Sequence, residues 1–149
     1  MKRLIVFIFI VVLLCLTNLP CFKEFKLDSF FPESNVEVYL GEYVDMGDKK
    51  LSYIKNGDGM ILFMKIEELE LFLKENNVLG YTIYINHTSV NTVFELLNVK
   101  NVDYKNNSFY GESNLFSKSL NVDGMKYNFQ CVKKEESILL GTPILLGSY

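Results

Sequence analysis

The hydrophobic residues of this chain recur at two different spacings, and the change between the two spacings limits the fold more than any other feature. Residues 36–44, VEVYLGEYV, alternate hydrophobic and polar side chains, which is typical of a strand with one buried face. Residues 65–77 and 87–98 instead place hydrophobic residues three and four apart, which predicts two amphipathic helices. We therefore expect an α+β domain, a mostly antiparallel sheet with two helices packed on one face.

Turn residues between the hydrophobic runs predict the order of the elements. The expected strands, in chain order, are 36–44, 51–54, 60–64, 78–85, 102–113, 116–122, 125–132 and 137–141. Residues 102–113 form either one long strand or a hairpin about Asn106-Asn107, and Asp123-Gly124 is the clearest hairpin turn. With the helices, the predicted order is β-β-β-α-β-α-β-β-β-β.

The strands near the end of the sequence carry two further predictions. In 125–132, the side chains expected on the buried face are Met125, Tyr127, Phe129 and Cys131. Pro143 cannot donate a hydrogen bond within a sheet, so the strand at 137–141 should end or reach a sheet edge there. The residues ILLGSY that follow at 144–149 should cover the sheet edge or a helix end.

The first 22 residues have the pattern of an export signal. Lys2 and Arg3 precede an uninterrupted hydrophobic run at 4–16, and polar residues and a proline follow at 17–20. This pattern predicts an N-terminal apolar helix at 1–22, either a cleaved signal peptide or an uncleaved signal anchor. The positive charges should remain in the cytoplasm and place the rest of the chain outside.

This export signal also sets the expected division of the chain. Residues 4–22 would contact the membrane, 23–35 would form a tether, and 36–149 would form a single extracytoplasmic domain. A lipoprotein anchor on Cys21 is a third possibility, but Pro20 directly before the cysteine argues against it. We expect an exported protein, anchored on the outer side of the membrane or secreted.

The net charge argues against nucleic acid as a partner, and the amino-acid composition indicates the type of genome that encodes the chain. The formal net charge is −3, and the part after the basic start is more acidic still, so we predict no nucleic-acid binding. The chain has no alanine and is rich in lysine, asparagine, isoleucine, phenylalanine and tyrosine. Because the codons of the abundant residues are AT-rich, the composition indicates a low-GC bacterial genome.

Residues that could carry chemistry are few. His87 is the only histidine, which excludes sites that need two histidines, and Ser89 beside it is expected to cap a helix. Nucleotide-binding and serine-hydrolase motifs are absent from the sequence. The turn NGDG at 56–59 lacks the ligand order of a calcium loop. We predict no catalytic residues, no metal site and no cofactor.

Two of the three cysteines bear on location. Cys131 falls on the buried face of its predicted strand, where a thiol packs as a small hydrophobic group. A disulfide between Cys21 and Cys131 is allowed outside the cell, but no feature of the sequence requires it.

The second half of the chain resembles a known family. The capped helix, the strands after it and the ending GMKYNFQCV…ESILLGTPILLGSY, within residues 78–149, are similar to the YwmB-like family. The resemblance implies a small exported protein of low-GC Gram-positive bacteria with a fold like that of the TATA-box-binding protein. This likeness concerns the fold and does not imply promoter binding. The family also has no established activity, so the resemblance implies no functional residues.

Three functional hypotheses remain open at this point. The first is a non-enzymatic domain of the cell envelope that contacts an envelope protein or a wall polymer, with sporulation as one setting. An exposed aromatic surface formed by Tyr104, Phe109 and Tyr110 would support this hypothesis. The second is a small extracytoplasmic hydrolase, which requires a concave pocket with a carboxylate or His87 facing inward. The third is an assembly subunit that joins others through its last strand.

Overall fold

The computed structural model describes residues 27–47 and 51–145, and within these ranges the chain forms three helices and ten strands. The helices are α1 (Leu27–Phe30), α2 (Ile66–Glu75) and α3 (Val90–Leu96). The strands are β1 (Asn35–Leu40), β2 (Ser52–Asn56), β3 (Gly59–Lys65), β4 (Gly80–Asn86), β5 (Lys100–Lys105), β6 (Ser108–Glu112), β7 (Leu120–Val122), β8 (Met125–Tyr127), β9 (Phe129–Lys133) and β10 (Ser137–Thr142).

Eight of the strands form one antiparallel sheet in the order β2-β3-β1-β4-β10-β9-β6-β5. The other two, β7 and β8, form a separate hairpin about Asp123-Gly124. The predicted α+β class and the mostly antiparallel sheet are confirmed. The run 102–113 is a hairpin, β5 and β6, turning at Asn106 and Asn107, which both adopt positive φ.

One face of the sheet carries the helices and the main core. Ile66, Leu69 and Phe72 of α2 are buried there, and Val93 of α3 is buried in the same core. They pack with strand side chains that share this face, namely Val36, Val38, Leu62, Ile83, Cys131, Ile138 and Leu140. Burial of these side chains removes the hydrophobic stripes of both helices from water, which stabilises the predicted arrangement.

The start of α2 is held by carboxylates, as the helix dipole favours. Glu68 accepts a hydrogen bond from the Lys65 N–H at 3.2 Å, and Glu67 accepts one from the Glu33 N–H at 3.1 Å. Hydrogen bonds from its own backbone and from Glu33 lower the pKa of Glu67. These bonds also fix the segment before β1 to the helix.

Part of the predicted tether belongs to the folded domain. Phe31 is only 3% exposed and lies in the core, and the Ser34 carbonyl accepts a hydrogen bond from the Ile66 N–H at 3.0 Å. The domain therefore includes residues 27–35. The predicted signal or anchor at 1–22, with its apolar helix, lies outside the described residues. No helix within 27–47 and 51–145 is long and hydrophobic enough to cross a membrane.

The last strand of the described chain is not at an edge. β10 ends at Thr142, directly before Pro143, but it lies inside the sheet between β4 and β9. Both sides of β10 are therefore hydrogen-bonded, and this strand cannot accept a further strand from another subunit. The third hypothesis thus loses its proposed joining strand.

The predicted strand 125–132 is interrupted at Asn128. This asparagine is buried, accepts a hydrogen bond from the Ser113 N–H and donates to the carbonyls of Ser113 and Phe116. The break reverses the alternation, so that Tyr127 contacts Tyr110 on the helix-free face while Phe129 enters the core. Met125, expected to be buried, is 43% exposed. Tyr127, Phe129 and Cys131 are buried as predicted, but Tyr127 and Phe129 lie on opposite faces because the hydrogen bonds of Asn128 interrupt the strand.

Candidate functional site

The face of the sheet opposite the helices carries a row of side chains that crosses all eight strands. Direct pairing between neighbouring strands defines this row as Ser52, Phe63, Glu37, Thr82, Gly141, Gln130, Tyr110 and Asp103. Paired residues of adjacent strands point to the same side of a sheet. The row therefore places two carboxylates, an amide and two aromatic rings on one surface without a covering helix.

The half of this face near β1 is organised around Glu37. Its Oε1 accepts a hydrogen bond from the Tyr84 hydroxyl at 2.6 Å, and its Oε2 accepts one from the Tyr39 hydroxyl at 2.7 Å. Tyr39 lies on β1 and Tyr84 on β4. Because these two strands pair directly, both hydroxyls can reach Glu37. The carboxylate is half-buried and held in one orientation.

A depression of about 520 Å³ opens beside this group. Glu37, Phe63 and Tyr84 line it together with Asn35 and Ser52, and residues at the junction of β3 and α2 close one end. The lining combines flat aromatic rings with hydrogen-bonding groups. Such a mixture suits a ligand or partner that presents both apolar surface and polar groups.

The other half of the face is partly covered by the chain after β10. The Leu145 N–H donates to Gln130 Oε1 at 3.2 Å, and a Cβ placed on Gly141 would lie 2.5 Å from the Leu145 nitrogen. Gln130 also donates to the Tyr110 hydroxyl at 3.2 Å. A side chain at position 141 would prevent this close approach. The segment 143–145 thus crosses the sheet face itself rather than the edge or a helix end.

Tyrosine and aspartate side chains complete the far end of the face. The Tyr127 hydroxyl donates to Asp103 Oδ2 at 3.1 Å, and the Lys105 ammonium lies 3.1 Å from the same oxygen. The hydrogen bonds from Lys105 and Tyr127 lower the pKa of Asp103, and burial raises the pKa of Tyr127. These contacts hold the β5–β6 hairpin against β8.

The three aromatic residues predicted to form an interaction surface are divided by the sheet. Tyr104 and Phe109 face each other on the helix side, with ring centroids 4.7 Å apart, and Phe109 also packs on Phe94 of α3. Tyr110 lies on the opposite face against Tyr127. Tyr104 is 57% exposed, whereas Phe109 and Tyr110 are half-buried. The three side chains do not form one patch.

The residues weighed for catalysis do not come together. His87 is an exposed residue at positive φ in the turn after β4, and it lines none of the depressions described here. Ser89 caps α3 by accepting a hydrogen bond from the Thr92 N–H at 3.1 Å, as predicted. Within the described ranges, no group of three or more metal-ligating side chains is close enough to hold an ion.

Glu37 and Tyr84 were not singled out from the sequence. The run VEVY places Glu37 and Tyr39 on the same face of one strand, and this local signal was available. The third member, Tyr84, is 47 residues away and joins the group only because β1 pairs with β4. Strand pairing at that distance does not follow from local spacing.

Cys131 is a free thiol on the core face of β9, and its side chain is completely buried. Burial raises its pKa to about 12. We predict that iodoacetamide at pH 8 modifies Cys131 slowly in the native protein and rapidly in denaturant, because the thiolate is the reactive form. Peptide mass spectrometry of the full chain measures this difference. Equal rates in the two conditions would contradict the buried position.

The same thiol makes a pH-dependent contribution to stability. The pKa of the thiol is higher in the folded than in the unfolded chain. When the pH exceeds the pKa of the unfolded chain, the unfolded state therefore binds fewer protons than the folded state, and a further rise in pH favours unfolding. The contribution is fully present below about pH 9 and decreases as the pH rises toward 12. Cys131→Val should reduce this decrease in a comparison of unfolding curves at pH 8 and pH 10.

Comparisons with known proteins do not assign the chain to a family. No family model matches it, and no curated protein and no solved structure matches it significantly. The resemblance to the YwmB-like family therefore stays a prediction.

Proposed function

We propose that this chain is a non-enzymatic binding domain of the bacterial cell envelope. In this proposal the segment 1–22 directs export and holds the domain at the outer side of the membrane, or is removed to release it. The domain acts by contacting a wall polymer or an envelope protein with its helix-free sheet face. The observation that carries the proposal is the open depression beside Glu37, lined by Phe63 and Tyr84.

The chemistry of the depression favours binding over catalysis. Each oxygen of Glu37 already accepts a tyrosine hydroxyl, and Glu68, which also lines the depression, accepts the Lys65 N–H at the start of α2. Both carboxylates therefore serve in structural hydrogen bonds. Phe63 and Tyr84 provide flat apolar surface, and the neighbouring amide and hydroxyl groups can bind sugar hydroxyls or peptide groups.

Binding by this face is tested with the full chain in detergent. Purified cell-wall sacculi are sedimented with the protein, and cross-linking in intact cells detects envelope proteins. We expect Phe63→Ala to reduce the bound or cross-linked fraction about tenfold, because loss of a central aromatic contact commonly costs more than 1 kcal/mol. Tyr84→Phe, which removes only the hydroxyl bound to Glu37, should reduce it less.

Tyr104→Ala is the matched control, since Tyr104 is an exposed aromatic residue on the opposite face. It should bind like the unchanged protein. Retention of both binding signals by Phe63→Ala, at unchanged folding, would overturn the assignment of this face. Capture by sacculi alone would identify a wall polymer, and a specific cross-link alone would identify a protein partner.

Export is tested separately on native cells. Fractionation, protease treatment of intact cells and the intact mass with the N-terminal sequence distinguish an anchored from a cleaved form. We expect a protein that external protease digests or that is secreted. A cytoplasmic, protease-protected protein would contradict the proposed location.

A further inference from the structure

The two edges of the eight-stranded sheet differ in how they are protected against further pairing. At one edge, β5 is irregular: its pairing with β6 shifts between Lys100 and Asp103, and Asn101 adopts a positive φ. The same strand also carries a third charged side chain, that of Lys105. Bulges and charged residues of this kind hinder the addition of another strand.

The opposite edge, β2, is regular and carries exposed hydrophobic side chains. It pairs with β3 without a register shift over Ser52–Asn56, and Lys55 is its one charged residue. All five residues are exposed. Tyr53 is 45% exposed on one face of the strand, and Ile54 is 56% exposed on the other. A regular strand with exposed hydrophobic residues is the type of edge that pairs with another chain.

The turn after β2 determines which backbone groups of the strand point outward. This turn has two residues and closes on Asn56 and Gly59, which pair directly. Residues that flank such a turn exchange both hydrogen bonds, and hydrogen-bonded pairs then recur at every second position. The even-numbered residues of β2 therefore bond to β3, whereas the N–H and C=O groups of Tyr53 and Lys55 point away from it.

The residues of β2 are complementary to themselves in antiparallel pairing. Full overlap of two copies places Ile54 opposite Ile54, and Tyr53 of each copy opposite Lys55 of the other. The outward backbone groups of Tyr53 and Lys55 exchange hydrogen bonds in this same register. Each lysine then faces an aromatic ring instead of another lysine, and within one copy the Lys55 ammonium already lies 4.7 Å from the centroid of the Tyr43 ring.

We propose that this chain forms a homodimer in which β2 pairs antiparallel with β2 of a second copy, across a two-fold axis at Ile54. The sheets of the two copies then form one continuous sheet. Because directly opposed residues share a face, the depressions beside Glu37 open on the same side of the dimer. Two linked depressions would strengthen binding to a repeating wall polymer. This consequence rests on the proposed function, whereas the dimer itself does not.

Disulfide cross-linking of the full chain in detergent tests the position of the axis. Ile54→Cys places two thiols in a non-hydrogen-bonded pair, where the Cα atoms are about 4.5 Å apart and a disulfide can form. In a glutathione redox buffer, we expect a disulfide between two copies of the tryptic peptide 51–55, identified by mass spectrometry. Mapping of this peptide separates the product from disulfides of the native cysteines.

Tyr104→Cys is the matched control, because Tyr104 is 57% exposed and lies on β5 at the other edge. It should cross-link about tenfold more slowly than Ile54→Cys, since its thiols meet only by random collision. Equal rates for the two variants would overturn the proposal. A disulfide of Ile54→Cys with another protein in intact cells, without the self-linked product, would assign the edge to a different partner and would also overturn it.

A mixture of two further variants tests the register. Ser52→Cys and Asn56→Cys should form disulfides mainly with each other, because full overlap places position 52 of one copy opposite position 56 of the second. Self-linked products that equal or exceed the mixed product would contradict this pairing.

Sedimentation of the full chain in detergent measures the dimer without cross-linking. Because the contact is small, we expect a dissociation constant on the order of 100 micromolar. Ile54→Lys should raise this constant about tenfold or more, since like charges then face each other at the axis, and circular dichroism should show unchanged folding. Association that Ile54→Lys leaves intact would show that another surface is used, and a monomer at about 1 millimolar would overturn the proposal. Tyr84→Phe should leave the dimer unchanged, so failure here is distinct from failure of the proposed function.

Discussion

Replacing Phe129 by alanine is expected to destabilise the domain by about 3–5 kcal/mol, which is a large part of the stability of a domain of this size. Phe129 is completely buried, and its ring packs on Phe94 of α3 and on Phe116, with centroids 5.9 and 6.4 Å apart. A Cβ on Gly111 would lie 2.6 Å from the Phe129 Cζ. The ring therefore fills the space that Gly111 leaves free on the neighbouring strand, and its removal creates a cavity.

Urea unfolding followed by circular dichroism measures this effect. Tyr104→Ala serves as the control, because that ring is mostly exposed and its loss should cost well under 2 kcal/mol. Phe129→Leu should fall between the two, since it keeps part of the buried volume. A loss below about 1 kcal/mol for Phe129→Ala would show that the site collapses without a cavity and would contradict the packing described.

Replacing Asn128 by alanine is expected to cost about 2–4 kcal/mol, even though the residue lies between two strands. Its side chain accepts from the Ser113 N–H at 2.8 Å and donates to the carbonyls of Ser113 and Phe116 at 2.6 and 3.1 Å. Alanine removes the partner of the Ser113 N–H and of the Phe116 carbonyl, whereas the Ser113 carbonyl still accepts the Phe116 N–H at 3.4 Å. The loss should also release the loop at 113–116, which these bonds hold against the sheet.

The substitution Asn128→Asp distinguishes the contribution of side-chain size from that of the donated hydrogen bonds. Aspartate keeps the size and can accept from Ser113, but an ionised carboxylate cannot donate to either carbonyl. It should therefore be at least as destabilising as alanine at neutral pH. Asn121→Ala, an exposed asparagine in β7, is the control and should be near neutral. Limited proteolysis that leaves the 113–116 loop intact in Asn128→Ala would contradict the proposed role.

The fold class could be predicted because it depends on local spacing. The hydrophobic residues of 65–77 recur at helical spacing and produced α2 at Ile66–Glu75, and Ser89 caps α3 as its position indicated. The hairpins at Asn106-Asn107 and Asp123-Gly124 follow from residues that tolerate positive φ. These features need only neighbouring residues.

Other features depend on contacts between distant parts of the chain. The position of β10 between β4 and β9 results from pairing between residues 51 to 61 positions apart, for example Ile138 with Ile85 and Leu140 with Ile83. The reversal at Tyr127 depends on the buried hydrogen bonds of Asn128 to residues 113 and 116. Local hydrophobic spacing predicts neither the position of β10 nor the reversal at Tyr127. For the same reason it did not predict that Glu37 and Tyr84 lie together.

The interior position of β10 has a consequence for how the chain matures. It joins a block of β2, β3, β1 and β4 to a block of β9, β6 and β5, yet it is synthesised after every other strand of the sheet. While the chain emerges N-terminus first, each block has one unpaired inner edge, and such edges promote aggregation. Folding is therefore complete only when Ser137–Thr142 inserts between them. Chaperones and quality-control proteases would meet a divided sheet until that insertion.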